Sequence, residues 1–397
     1  MLMPWRSERH EGGVRTMPKS PRRRRQDHGE DGLEAAHVSG TPVTDSLDAG
    51  PSELDNTGRT STVMMDVARL AGVSKQTVSR VFNDHASVRQ ATRDRVLEAA
   101  RHLGYNRPNP SARALVTGRT QMLGVITTGV AGYGPAMMLQ SISVAARDAD
   151  YFVSAAPLRS MDRRSLLEAV ERLTSQAVDG IIVIASQKSV ARALADAPRR
   201  VPVVTLDRSY AADIPVVAVD EELGARLATR HLLQLGHRTV WHLAGPADSV
   251  AAEERAMGWR AALQEAGAPA PTLLTGDWTS GSGYAQGQEL LARADAADVT
   301  AVFAANDQMA MGLLRALHEG GRRVPDDISV IGVDDIPEAA DMIPPLTTVR
   351  HNYGEVGRRC LALMLELLEN PPRAWVRSLV PNELVVRRSS APPPPPA

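Results

Sequence analysis

The chain has 397 residues, 43% apolar and 23% charged, with a net charge of −1. That is enough apolar mass for two or three packed domains, and no apolar run reaches the ~18 residues of a membrane-spanning helix. A single cysteine, Cys360, excludes an intrachain disulfide. This suits a reducing cytoplasm, and the lack of an uninterrupted apolar signal-peptide core at the N-terminus argues against export.

Residues 1–58 combine many Pro, Gly, Ser and charged residues with little hydrophobic periodicity, the composition of a disordered extension. Its basic tract, Arg22–Arg25, reads as a solvated tail rather than a DNA contact. The balance then shifts. Between Arg59 and Thr120, eleven basic residues stand against four acidic ones, a net +7 on a near-neutral chain. Such a local excess suits contact with phosphates.

Inside this basic stretch, Val67, Leu70 and Ala71 fall on one face of a short helix at i, i+3, i+4. Gly72 supplies the freedom of a helix exit, and Ser74 is a good N-cap for a second helix. There Val78, Val81 and Phe82 face inward, leaving Lys75, Gln76, Ser79 and Arg80 outside. Gln matches the adenine edge and Arg the guanine edge in a major groove. Periodicity alone fits an ordinary αα-hairpin equally well. The wording goes further. Asp66-Val67-Ala68, Ala71-Gly72-Val73-Ser74 and Thr77-Val78-Ser79-Arg80-Val81 resemble the DNA-binding headpiece of the lactose repressor family. The resemblance implies DNA contacts by Lys75, Gln76, Thr77, Ser79, Arg80 and Asn83.

A third helix is expected from about Ala91 to Leu103, with Val96, Ala99, Ala100 and Leu103 on one face and Gly104 as its stop. Its capping position carries Arg89 instead of Ser or Thr, and Val63 stands where the family has a capping hydroxyl. Arg107–Leu115 then looks like the family's hinge helix, with Ala112 and Leu115 at its DNA contacts and Leu115 as the minor-groove wedge. The spacing from Tyr105 to Leu115 is one residue longer than usual.

From Met122 the pattern becomes short apolar strands alternating with amphipathic helices. Strands are expected at Leu123–Thr127, Tyr151–Ala156, Gly180–Ile184, Val203–Asp207, Val216–Val219, Thr239–Ala244, Val302–Ala304 and Ser329–Val333, with a last one near Leu379–Val386. Helices are expected at Arg163–Thr174, Leu223–Leu235, Glu254–Glu265, Gly283–Ala292, Gln308–Glu319 and Arg358–Glu369. Alternation of this kind implies parallel sheets with helices on both faces. So many strands are best divided between two lobes with a ligand cleft between them. The expected fold is therefore α/β: a two-lobed, periplasmic-binding-protein-like core of parallel sheets behind an all-α helix-turn-helix headpiece. The boundaries read as extension 1–58, headpiece 59–108, hinge and linker 109–120, core 121–390 and Pro-rich tail 391–397. That tail carries no leucine heptad, so no tetramerisation helix is apparent.

Ligand groups in such sheets come from loops at the carboxyl ends of strands. Asp207, Asn306 with Asp307, and Asp334 with Asp335 hold such positions. Adjacent strand residues point to opposite sides, so Asp334 and Asp335 are not expected to form a catalytic dyad. There is no Walker A loop, no Gly-x-Ser-x-Gly elbow and no metal-ligand cluster. No enzyme activity, cofactor or metal is expected, and His237 and His242 read as structural. The core also resembles the same family, on Leu243-Ala244-Gly245-Pro246, Gly276-Asp277-Trp278, Ala305-Asn306-Asp307-Gln308-Met309-Ala310 and Pro344-Pro345-Leu346-Thr347-Thr348. This implies effector contacts by Asp207, Arg255, Trp278, Asn306, Asp334 and Tyr353. Trp278 equally fits a core position, and Asn306 fits a helix cap. Ile184 and Gly132 replace a polar and a bulkier apolar residue of the family's namesake, which points to an altered pocket. The resemblance implies a cytoplasmic homodimeric repressor of a pseudo-palindromic operator, released by a small sugar. A purine corepressor and a sugar receptor that does not bind DNA are the alternatives.

Overall fold

The computed structural model describes residues 64–82, 87–105, 119–127 and 132–395, apart from 161, 185–186, 196, 198–199, 207, 209–213, 294 and 371–375. The expected hinge helix, the cap at Val63, and the proposed contacts Asn83, Ala112, Leu115 and Asp207 lie outside the described residues.

Three helices form the headpiece: α1 (Met64–Ala71), α2 (Lys75–Phe82) and α3 (Gln90–His102). Gly72 has φ of +64°, a left-handed value that glycine adopts without strain. Ser74 caps α2, its Oγ accepting from the Thr77 amide at 3.1 Å. The core of this unit is Val67, Ala68, Ala71, Val78, Val81, Val96, Ala99 and Ala100, with Phe82 against Tyr105. Leu70 does not face inward as expected. It is 52% exposed, and Ala68 takes its place. In a helix of two turns, a shift of the buried stripe by half a turn exchanges these neighbours, and the small Ala68 permits the close approach of α1 to its partners. Arg89 makes no side-chain cap at α3, as the sequence suggests.

The remainder is two lobes. The first sheet comprises β1 (Met122–Thr127), β2 (Phe152–Pro157), β3 (Gly180–Ile184), β4 (Val203–Thr205), β5 (Val216–Val219) and β11 (Arg377–Val380), in the order β11-β5-β4-β3-β1-β2. The second comprises β6 (Trp241–Ala244), β7 (Leu274–Thr275), β8 (Ala301–Ala304), β9 (Ser329–Val333), β10 (Thr347–Arg350) and β12 (Glu383–Val385), in the order β12-β10-β9-β8-β6-β7. All pairings are parallel except β10 with β12. Strands such as β3 and β8 are buried along their whole length, because helices cover both faces of each sheet.

Helices α4 (Tyr133–Asp148), α5 (Arg163–Ser175), α6 (Lys188–Ala195) and α11 (Tyr353–Glu369) pack in the first lobe. Helices α7 (Glu221–Gln234), α8 (Val250–Glu265), α9 (Ser280–Leu291) and α10 (Asp307–Glu319) pack in the second. The chain crosses between lobes after β5, after β10 and after β11. Asn382 ties two crossings together by donating to the Asp220 carbonyl at 2.6 Å. The last expected strand, Leu379–Val386, is in fact β11 and β12 in different sheets. Pro381 lies at the break, where it cannot donate to a ladder. The strand expected to end at Asp207 ends at Thr205. Several helices begin just after a strand and are side-chain capped there: α7 by Asp220, α8 by Ser249, α10 by Asn306 and α11 by Asn352. Their N-termini are thereby brought toward the carboxyl ends of the sheets.

Candidate functional site

A cavity of about 310 Å³ lies between the lobes. Its walls are residues that follow strand ends: Gly132, Tyr133, Gln187 and Tyr353 from the first lobe, and Glu221, Ser249, Arg255, Asp277, Trp278, Asn306 and Asp334 from the second. Five of the six expected effector residues therefore meet in one place; the sixth, Asp207, is outside the described residues.

Arg255, buried on α8, is the centre of the deep wall. Its Nε donates to Glu221 Oε2 at 2.8 Å and its Nη2 to Oε1 at 3.1 Å, while Nη1 donates to the Ala305 carbonyl. Asp334 is a second, looser carboxylate, 3.9 Å from Nη2. The Tyr353 hydroxyl donates to Asp334 Oδ1 at 3.4 Å, and His351 Nε2 lies 3.7 Å from the same oxygen. Two carboxylates thus compete for one guanidinium, and the bidentate geometry assigns it to Glu221. Burial pushes the Glu221 carboxyl up, but Arg255 and, less strongly, His351 more than reverse this and leave it below the usual value. At Asp334 burial prevails over Arg255, Glu221 adds to it, and the carboxyl is pushed up to about 7. Burial also lowers His351 to about 4, so its ring is neutral. It stacks on Tyr353 at 5.4 Å.

Trp278 sits at φ of +75° with its ring 5.4 Å from the Arg255 guanidinium. The indole lies directly on Gly245, where any Cβ would overlap it. Asn306 caps α10 through Oδ1 to the Met309 amide at 3.0 Å and also lines the cavity, its Nδ2 donating to the Trp278 carbonyl at 3.0 Å. Asn306 therefore both caps α10 and lines the cavity.

Asp307 points away from the cavity. It is fully buried, accepts from the Ile336 amide at 2.9 Å and from Thr348 Oγ1 at 2.6 Å, and is pushed up to about 8, first by burial. Asp335 turns away from Asp334 as expected, accepting from Arg350 and Arg387 at 2.6 Å each. His237 joins Thr300 to the Ala391 carbonyl, and His242 bonds the Phe303 carbonyl and stacks on that ring, so both are structural. Ile184 corrects an expectation: it is buried in the first lobe's core and does not line the cavity, whereas Gly132 does. Sequence reasoning missed Glu221. Its signal was an acidic first turn immediately after a strand, at Asp220-Glu221-Glu222.

On the headpiece, Lys75, Gln76 and Arg80 are exposed along α2, and Thr77 and Ser79 are half-buried. The Thr77 hydroxyl is 2.9 Å from Ser74 Oγ, so it is held at the start of the helix.

A helix pair with an outward row of Lys, Gln and Arg, in one chain with a two-lobed ligand cavity, defines a ligand-responsive DNA-binding regulator. Residues 63–109 match the model of bacterial regulatory proteins of the lacI family, and residues 229–390 match a periplasmic binding protein-like domain. The lactose operon repressor of Escherichia coli (strain K12) is 35% identical over 333 residues, spanning 82% of this chain and 90% of that protein. A lac repressor dimer bound to operator and the anti-inducer ONPF superposes with a TM-score of 0.72 at 34% identity, covering 83% of this chain and 99% of that one. The complex of the transcriptional regulator CelR with cellobiose gives a TM-score of 0.62 at 33% identity, covering 83% of this chain and 99% of that one. The chain belongs to the lacI family of transcriptional regulators.

Proposed function

We propose that this regulator is a cytoplasmic homodimeric repressor whose hold on a pseudo-palindromic operator is weakened by a small sugar bound between the lobes. The observation that carries this reading is a cavity walled by both lobes. A ligand gripping Tyr353 on one side and Arg255, Trp278, Asn306 and Asp334 on the other must fix the angle between them. Asp207 joins this set by sequence. The hinges leave the first lobe, so that angle sets the separation of the two hinges in a dimer. A sugar that prefers the hinge-separated state lowers operator affinity by its differential affinity for the two states, about 1–3 kcal/mol per coupled site. The ligand of one relative, cellobiose with the regulator CelR, supports a sugar effector.

In this reading the headpiece spans 59–108 and presents Lys75, Gln76, Thr77, Ser79, Arg80 and Asn83 to the major groove. The hinge spans 109–120 and inserts Leu115, beside Ala112, into the minor groove. The core spans 121–390. Residues 1–58 and 391–397 are an extension and a tail.

The test is operator binding by gel shift across a panel of mono- and disaccharides that includes lactose and cellobiose. The expected result is a sugar-dependent loss of affinity for operator and none for random DNA. A purine that raises operator affinity, with no sugar effect, would replace the inducer logic by a corepressor. Absence of specific DNA binding would leave only a sugar receptor.

A further inference from the structure

The charge pattern of the cavity carries a statement about its ligand, and this statement rests on the effector reading above. Among the described lining residues the charged side chains are Glu221, Arg255, Asp277 and Asp334, three acids against one base. That base is already engaged: one edge of the guanidinium, Nε with Nη2, serves Glu221, and the remaining nitrogen, Nη1, serves the Ala305 carbonyl. Such a fork is otherwise the protein group best shaped to grip a phosphate or carboxylate. Nearby cations are also matched. Lys188, after β3, pairs with Glu253 at 3.2 Å, and Arg208, after β4, pairs with Glu254 at 3.3 Å and Glu222 at 3.6 Å. The sequence places no Lys or Arg at 128–131, 185–186, 207 or 209–213.

What the cavity does offer is acceptors. Gln187 Oε1 is buried and has no hydrogen-bond partner, and the carboxylates of Asp277 and Asp334 add to it. A buried acceptor left unpaired is costly, and hydroxyl groups are the donors that would satisfy it.

We propose that Glu221 is a specificity determinant: by occupying the fork of Arg255 it excludes sugar phosphates and sugar acids and confines the cavity to uncharged, hydroxyl-rich ligands. An anion entering the site would find the one lining cation already paired and would face the Asp277 carboxylate, with Asp334 adding its charge once it ionises. A neutral sugar has no such opposition.

Inorganic phosphate is the direct probe, titrated at constant ionic strength and followed by the fluorescence of Trp278. The headpiece holds no tryptophan, so phosphate bound there is silent, and Trp278→Phe verifies the origin of the signal. Wild type is expected to show no response. Glu221→Gln, which releases the fork and removes one negative charge, is expected to bind phosphate at least about tenfold more tightly. Should Glu221→Gln fail to fold, Asp334→Asn removes a neighbouring charge and is expected to gain in the same direction. Phosphate binding by wild type as tight as by the variants overturns the proposal. So does a lack of binding by wild type and folded variants alike. A wild type whose operator affinity ignores every uncharged sugar defeats the effector reading instead, and the phosphate titrations distinguish that case.

Discussion

Replacing Arg255 by Ala changes more than a ligand contact. The side chain is buried, as is Glu221, and the pair is bidentate at 2.8 and 3.1 Å. Removing one partner of a buried pair strands the other charge and costs about 3–5 kcal/mol. The upper end applies here, because the Ala305 carbonyl also loses its donor. The cost must depend on pH. In the native protein Glu221 is held below its usual value, so its contribution is present above that value and lost as pH falls. Without Arg255, burial outweighs the weaker pull of His351 on the carboxyl and raises it. A raised carboxyl contributes stability at low pH and loses it as pH rises through the folded-state value. The gap between wild type and Arg255→Ala should therefore widen from about pH 5 to about pH 8. Urea unfolding of the core, followed by circular dichroism at both values, measures it. The double variant Arg255→Met/Glu221→Leu, which removes both charges and keeps volume, should recover at least half the loss. A gap that is equal at the two pH values, or a double variant no more stable than the single one, would refute the reasoning. The double variant is accordingly the better choice for operator-release assays, where it should remain on DNA at sugar concentrations that release the wild type.

Arg80→Ala should weaken operator binding by about 1–3 kcal/mol and relax preference at one base pair; an equal loss on random DNA, seen by competition gel shift, would reduce Arg80 to a phosphate contact. Asp307 is pushed up to about 8 by burial, so its stabilisation is lost as pH rises toward that value, and Asp307→Asn should flatten the fall in stability between about pH 5 and 8 in urea titrations. Parallel pH curves for variant and wild type would exclude this. Gly245→Ala would drive a Cβ into the Trp278 indole; tryptophan fluorescence should shift and sugar response fall by at least about tenfold, with sugar-free operator affinity unchanged. Unaltered sugar response with a displaced ring would remove Trp278 from the ligand contacts.

Much of this molecule was legible in the chain itself because the relevant forces are local. Gly72 and Ser74 mark the turn between α1 and α2 through their own backbone and hydroxyl chemistry. Runs such as Gly180–Ile184 and Ser329–Val333 announce strands buried on both faces, and their bounds agree with the structure. The positions after strand ends also single out Asn306 and Asp334 in the sequence. Other features depend on partners far away in sequence. Leu70 and Ala68 are both apolar, and only the placement of α3 and α2 decides which is covered. The stretch Leu379–Val386 looks like one strand, yet its halves join sheets of different lobes. Ile184 is the last residue of β3, at the end that leads toward the cavity, but its side chain turns into the core. Glu221 and Arg255 are 34 residues apart, and nothing in either neighbourhood says that one occupies the other. Periodicity and capping are written over a few adjacent residues, whereas desolvation and charge pairing are set by whichever groups the packed lobes bring within a few ångströms, and only the tertiary structure decides that.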